Sequence, residues 1–182
     1  MRAQNRLVPF QARYVAVVTS TQRRFGLTAS KTLIMPGTAR YELDLGRLNQ
    51  RDVVWDAGSA TLTVTLPPIE VTGPEVDPAQ MKAYDGGGML MRLTDAEAAL
   101  DASNIAAGRR ELMMQARAPT PMRFAADAAA RAVERSFAMP LAAAGLSPKV
   151  VVRFAGDRNT EQMDRSRSIQ DVYARGAEES SR

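Results

Sequence analysis

The tightest constraint in this chain is a stretch of seven residues, 60–66. Leu62, Val64 and Leu66 alternate there with Thr61, Thr63 and Thr65, the period of two that a strand with one buried and one wet face requires. Pro67-Pro68 closes it, since neither residue can donate to a ladder. The same alternation runs through Tyr41, Leu43 and Leu45 against Arg40, Glu42 and Asp44. Residues 10–21 (FQARYVAVVTST) are rich in β-branched and aromatic side chains and predict the first strand. A connection over 23–30, turning at Gly26, leads to a second extended stretch over 31–45. Pro36-Gly37 interrupts that stretch as a type II turn or as a bulge in one long strand. Short strands over 53–55 and 69–76 follow, the first turned by residues 56–59. Strands in succession with short connections predict a mostly antiparallel sheet.

The period then changes. Residues 77–93 read as irregular around Gly86-Gly87-Gly88, and Thr94-Asp95-Ala96-Glu97 is a capping box that opens a helix running to about Arg117. A second helix starts near Pro121, with Ala126, Ala130, Val133, Phe137, Leu141 and Ala144 as its apolar stripe. Arg123–Asp127 and Asp127–Arg131 stand at ion-pair spacing on another face, Pro140 bends the last part, and Gly145 ends it. Residues 150–155 are a last strand. The expected fold is α+β: a mostly antiparallel sheet of four to six strands packed against two helices from the C-terminal half, the last strand returning to the sheet. Residues 1–9 read as a basic leader or linker, 10–156 as one domain, and 157–182 as a polar tail too poor in apolar residues to order itself.

Chemistry enters mostly by exclusion. The chain has no cysteine and no histidine, which removes disulfides, thiolate and imidazole metal sites, and Ser-His-Asp or Cys-His nucleophiles. No metal or cofactor is expected. Gly86-Gly87-Gly88 lacks the Gly-Lys-Ser/Thr ending of a phosphate loop, because Met89-Leu90 follows, and reads as a flexible turn. An enzymatic alternative, a carboxylate-dependent hydrolase or lyase, needs a pocket gathering two or more of Asp44, Glu70, Glu75, Asp77 and Asp85.

Charge is unevenly placed. The formal net charge is +4, and no acidic residue precedes Glu42, whereas Arg2, Arg6, Arg13, Arg23, Arg24, Lys31 and Arg40 do. Such a one-signed segment suits an anionic membrane surface or nucleic acid, with an envelope protein as a further candidate partner and Arg2, Arg6, Arg23 and Arg24 as candidate anion or headgroup contacts. Nucleic acid is disfavoured: Phe10, Tyr14 and Phe25 lie in the basic segment, but Phe10 and Tyr14 share one strand face and read as core rather than as stacking platforms. Met113 and Met114 read as core fillers. No apolar run reaches the 18 or more residues of a membrane span, so this sequence is expected to be soluble as it stands.

One resemblance stands beside these readings. Pro36-Gly37-Thr38, Leu43-Asp44-Leu45 and Leu66-Pro67-Pro68-Ile69-Glu70, with Ala144-Gly145-Leu146 and Val150-Val151-Val152-Arg153-Phe154, resemble the bacterial family catalogued as domain of unknown function 4230 over residues 10 to 156. The resemblance implies a domain held at the cell envelope by an N-terminal membrane helix, which this sequence does not contain. It implies no catalytic residues. The order of strands, paired helices and final strand is also similar in topology to stomatin-like scaffold domains, which points toward a homo-oligomeric assembly module.

Overall fold

Alternation extends further along the chain than its clearest stretch suggests. In the computed structural model, which describes residues 5–86, 96–145 and 149–156, the first two elements are β1 (Arg6–Arg24) and β2 (Leu27–Asp44). They are 19 and 18 residues long, against a usual strand length of about five or six. They form one antiparallel hairpin whose register holds from Phe10↔Tyr41 to Arg24↔Leu27. Two expectations are corrected here. The first strand begins at Arg6, inside the expected leader, and the connection over 23–30 shrinks to Phe25-Gly26.

Pro36-Gly37 makes no turn; β2 runs straight through it. On its far side β2 pairs antiparallel with β6 (Lys82–Asp85) along residues 31–34 and with β5 (Glu70–Val76) along residues 37–42. Pro36 falls between the two stretches, where a missing N–H leaves no ladder bond unmade. The bulge in this region lies on the partner strand: between the pairs Thr38↔Glu75 and Arg40↔Thr72, Ala39 of β2 opposes both Gly73 and Pro74 of β5, with Gly73 at φ +103°.

The remaining strands form a second sheet rather than extending the first. β3 (Val53–Asp56) and β4 (Thr61–Leu66) are a short hairpin turned where Asp56 accepts from the Gly58 amide and the Ser59 hydroxyl, which hold its carboxyl below the usual range. Single turns of 3₁₀ helix at Leu45–Arg47 and Gln50–Asp52 separate it from β2, and Pro67-Pro68 separate it from β5. β7 (Lys149–Phe154) returns to pair with β4, and that pairing is parallel. Seven strands in two sheets thus lie among the described residues, mostly antiparallel as expected.

The helices are α1 (Ala96–Ala116) and α2 (Pro119–Ala143). The Thr94 cap expected for α1 lies outside the described residues, as do Arg2, Gly87-Gly88 and the tail over 157–182. α1 lies along the inner face of β2, where residues 29–43 are buried at every second position. Ten steps of strand and nineteen of helix both span about 30 Å, so the two stay in register from end to end. At one end Lys31 meets Glu97 and Asp101, and the buried Asn104 donates Nδ2 to the Lys31 carbonyl at 2.8 Å. Midway, Met35 packs on Gly108, and Leu112 sits over Gly37. At the other end Tyr41 Oη donates to the orphan carbonyl of Ala116 at 2.7 Å, so Tyr14 Oη must donate to Tyr41, 2.6 Å away.

α2 bridges the two sheets. Ala125 packs with Ala39 and Tyr41 of the first and with Ala116 of α1, while Ala129 and Val133 pack with Leu62, Val64 and Leu66 on the second. The stripe holds Val133, Phe137 and Leu141 as expected, and its first two members are Ala125 and Ala129 in place of the expected Ala126 and Ala130. Phe10 does enter the core, 5.2 Å from the Tyr41 ring. Met114 does not; it is exposed. The expected Arg123–Asp127–Arg131 pairs are not made among the described residues, and Arg135 Nε instead donates to the Arg131 carbonyl at 3.2 Å. α2 continues through Pro140 to Ala143, and Gly145 follows at φ +78°.

Candidate functional site

The hairpin outruns its sheet. β6 reaches only as far as Lys31, with the Gly86 amide donating to the Ser30 carbonyl at 2.9 Å. Beyond that point residues 21–24 and 27–29 pair only with each other, supported on one face by Leu100 of α1 against Ala29. At the tip Phe25 and Gly26 both have positive φ, 51° and 73°, the two-residue loop that suits the twist of a hairpin. Glycine holds that conformation freely. Phenylalanine in the left-handed region costs about 1–2 kcal/mol.

The side chain placed there at that cost contacts almost nothing. Phe25 is 89% exposed, with the Arg24 guanidinium 5.5 Å from its ring centroid. Arg23 and Arg24 are exposed as well. Ion pairs among the described residues engage Arg6, Lys31, Arg40 and Arg47, and neither tip arginine takes part. The tip therefore presents two arginines outside every ion pair among the described residues, with the Arg24 guanidinium beside one exposed aromatic ring. Strained backbone of this kind, with no packing to reward it, marks functional positions. Replacing Phe25 by asparagine, the favoured residue for this turn, is expected to raise stability by about 1 kcal/mol in urea unfolding.

The other candidates are dispersed. Arg6 is at the opposite end of β1, bonded to Glu42 at 2.7 Å and 3.6 Å from Glu70, so it is separated from Arg23 and Arg24 by the length of the strand. Arg2 lies outside the described residues. The five carboxylates proposed for an enzymatic alternative do not converge. Asp44 accepts from the Gly46 amide at 3.0 Å, and Asp77 accepts from Gln80 Nε2 and the Ala79 amide, which keep its carboxyl below the ordinary range. Glu70 pairs with Arg47 at 2.9 Å, Glu75 pairs with Arg40, and Asp85 lies 3.8 Å from Lys31. The hollow bounded by Ile69, Glu70, Val71, Arg117 and Met122 contains one of the five. Each acid closes a turn or neutralises a base, the ordinary work of surface carboxylates.

Lys31 is the charged site that the sequence reading passed over. It is 6% exposed, with its ammonium 2.8 Å from Asp101 and 3.0 Å from Glu97. Asp101 first, and then Glu97, hold its pKa above the ordinary lysine range in spite of burial. A nucleophilic lysine needs the reverse shift, so this one serves as an anchor for α1.

The family model described as protein of unknown function (DUF4230) matches residues 1–152. The chain belongs to this family. In this DUF4230 member the matched span holds the hairpin and its tip, both helices, and β7 as far as Val152. No curated protein and no solved structure matches the chain. No described helix is long and apolar enough to cross a membrane.

Proposed function

We propose that this domain is a non-enzymatic docking module of the cell envelope, one that meets an anionic membrane surface with the tip of its long hairpin. The observation that carries the reading is Phe25, held at positive φ and exposed next to Arg23 and Arg24, which take part in no ion pair among the described residues. Each arginine at an anionic surface contributes about 1 kcal/mol, and burying a phenylalanine side chain adds roughly 1.5–3 kcal/mol. The sum gives weak, reversible contact suited to a domain that is anchored by other means. The family resemblance, which implies a membrane helix ahead of such domains, favours the same picture.

Sedimentation with phosphatidylserine-containing and pure phosphatidylcholine vesicles tests it. The protein is expected to pellet with the anionic vesicles at low salt and to be released as salt shortens the screening length. Reversing both charges (R23E/R24E) is expected to weaken binding about a thousandfold, at about 1 kcal/mol for each charge removed and again for each introduced. Phe25→Asn is expected to weaken it roughly tenfold to a hundredfold through lost burial. Equal pelleting with both kinds of vesicle, or unchanged binding by R23E/R24E, would overturn the proposal.

A further inference from the structure

β1 has a hydrogen-bonded neighbour on one side only. Among the described residues no strand pairs with its other edge, although its register against β2 is unbroken for the fifteen residues from Phe10 to Arg24. The parity of that edge can be worked out. Val15 lies opposite Pro36, which has no N–H, and the Val15 carbonyl accepts from Gln115 Nε2 of α1 at 3.4 Å. Val15 therefore turns its peptide groups outward, and with a regular register so do Arg13, Val17, Thr19 and Thr21.

Beside this edge α1 leaves a hollow of about 730 Å³. Val18 of β1 lines it on one side, and Ala107, Arg110, Glu111, Met113 and Met114 of α1, with Arg117 just after it, on the other, two guanidiniums against one carboxylate. Met114 is 64% exposed there, which explains why it is missing from the core. From Ala107 to Arg117 the hollow is about 15 Å long, the length of about five strand residues. An unpaired strand edge with an apolar trough and a helix alongside is the geometry in which an extended peptide adds as a further strand. Main-chain bonds then supply affinity, and alternate side chains enter the trough.

Charge selects the occupant. β1 contains Arg6, Arg13, Arg23 and Arg24 and no acid, so a second copy of the strand would bring arginines against arginines. Arg110 and Arg117 at the trough take part in no ion pair among the described residues, and Glu111 is held by Gln115 Nε2 at 2.8 Å. We propose that the free edge of β1 and the hollow beside α1 form a groove for an extended, acidic segment of a partner protein, its alternate residues apolar. This groove is separate from the hairpin tip and stands without the membrane reading.

Panning a phage library of random dodecapeptides on the full chain tests the proposal. The enriched clones are expected to alternate apolar residues with Asp or Glu over about five positions. A synthetic peptide of their consensus should bind at least tenfold more weakly to Val17→Pro. That substitution removes one outward N–H and no bond to β2, and circular dichroism checks that the fold survives. Should Val17→Pro not fold, Met114→Glu serves instead: the position is exposed, the backbone is untouched, and the added charge repels an acidic ligand, again with at least a tenfold loss. Binding should also slow hydrogen exchange at Val15, Val17 and Thr19. No enrichment above an uncoated surface, or a consensus bound equally by the folded variants, would overturn the groove. A concentration-dependent dimer that Val17→Pro abolishes would overturn the acidic partner and assign the edge to a second copy.

Discussion

Lys31→Glu is expected to leave the chain largely unfolded at neutral pH. The substitution puts a carboxylate at a position that is 6% exposed and that already faces Asp101, Glu97 and, at 3.8 Å, Asp85. An uncompensated buried charge alone costs about 3–5 kcal/mol, and whole domains are stable by roughly 5–15 kcal/mol. Lys31→Met should be far milder, costing about 2 kcal/mol. Methionine keeps the buried hydrocarbon, and the acids, about half exposed, recover water when their charge-assisted bonds are lost. Urea unfolding of the two variants measures the difference; similar losses in both would show that Lys31 acts by packing rather than by charge.

The same site gives the domain an alkaline limit. Lys31 has a folded pKa raised by its acids, and Tyr41 has one raised mainly by burial. For both groups the folded state holds its proton more tightly. Their stabilisation is therefore complete below the unfolded values, near 10 for tyrosine and 10.4 for lysine, and disappears as pH rises through the folded ones. The urea midpoint is expected to fall steadily above about pH 10, and a Lys31→Met, Tyr41→Phe double variant should fall less steeply. An unchanged slope in the double variant would exclude these two groups as the cause.

Gly37→Val is expected to destabilise the fold by about 3 kcal/mol, although strand propensity alone predicts a gain of roughly 0.5–1 kcal/mol. A Cβ at this position would come 2.8 Å from Leu112 Cδ1, 3.3 Å from Pro74 Cβ and 3.4 Å from Val76 Cγ2, so a branched side chain forces α1 off the sheet. Leu112→Ala, at a fully buried position, should cost about 2–5 kcal/mol through its cavity. Combining it with Gly37→Ala should cost less than the sum of the single changes, since the new methyl enters the space that leucine vacates. Strict additivity in that cycle would mean that the close approach of α1 to β2 is not what fixes glycine here.

Gly37 also shows where the sequence stops being legible. Pro-Gly in an extended stretch carries a local turn signal, and nothing nearby in the chain reveals that Leu112, about 75 residues later, needs the missing side chain. Strands with one wet face were readable residue by residue, as in Thr61–Leu66, and so were both helices, because solvent imposes their periods. The division into two sheets was not readable, since a period of two says which side of a strand is buried and not which neighbour it has. Asp77–Asp85 was read as irregular because β6 is four exposed residues whose only reason to extend is the edge of β2. At the candidate site, Arg23 and Arg24 were picked out by charge. Phe25 was noted only as an aromatic within the basic segment, since a backbone angle carries its meaning. Lys31 passed unnoticed because a lone lysine in a strand gives no sign of three acids arriving from elsewhere.

The parallel pairing of β4 with β7 has a consequence for the time course of synthesis. Leu62, Val64 and Leu66 are buried by α2 and flanked by β7, both of which lie downstream, and β7 ends at Phe154. A nascent chain grows by roughly 5–20 residues per second, so the β3–β4 hairpin waits on the order of ten seconds for the partners that cover it. During that interval three large apolar side chains in an alternating strand face water with no second sheet to join. The Thr-rich opposite face and the Pro67-Pro68 stop keep that exposed strand short, and those two features guard the unfinished protein as much as they shape the finished one.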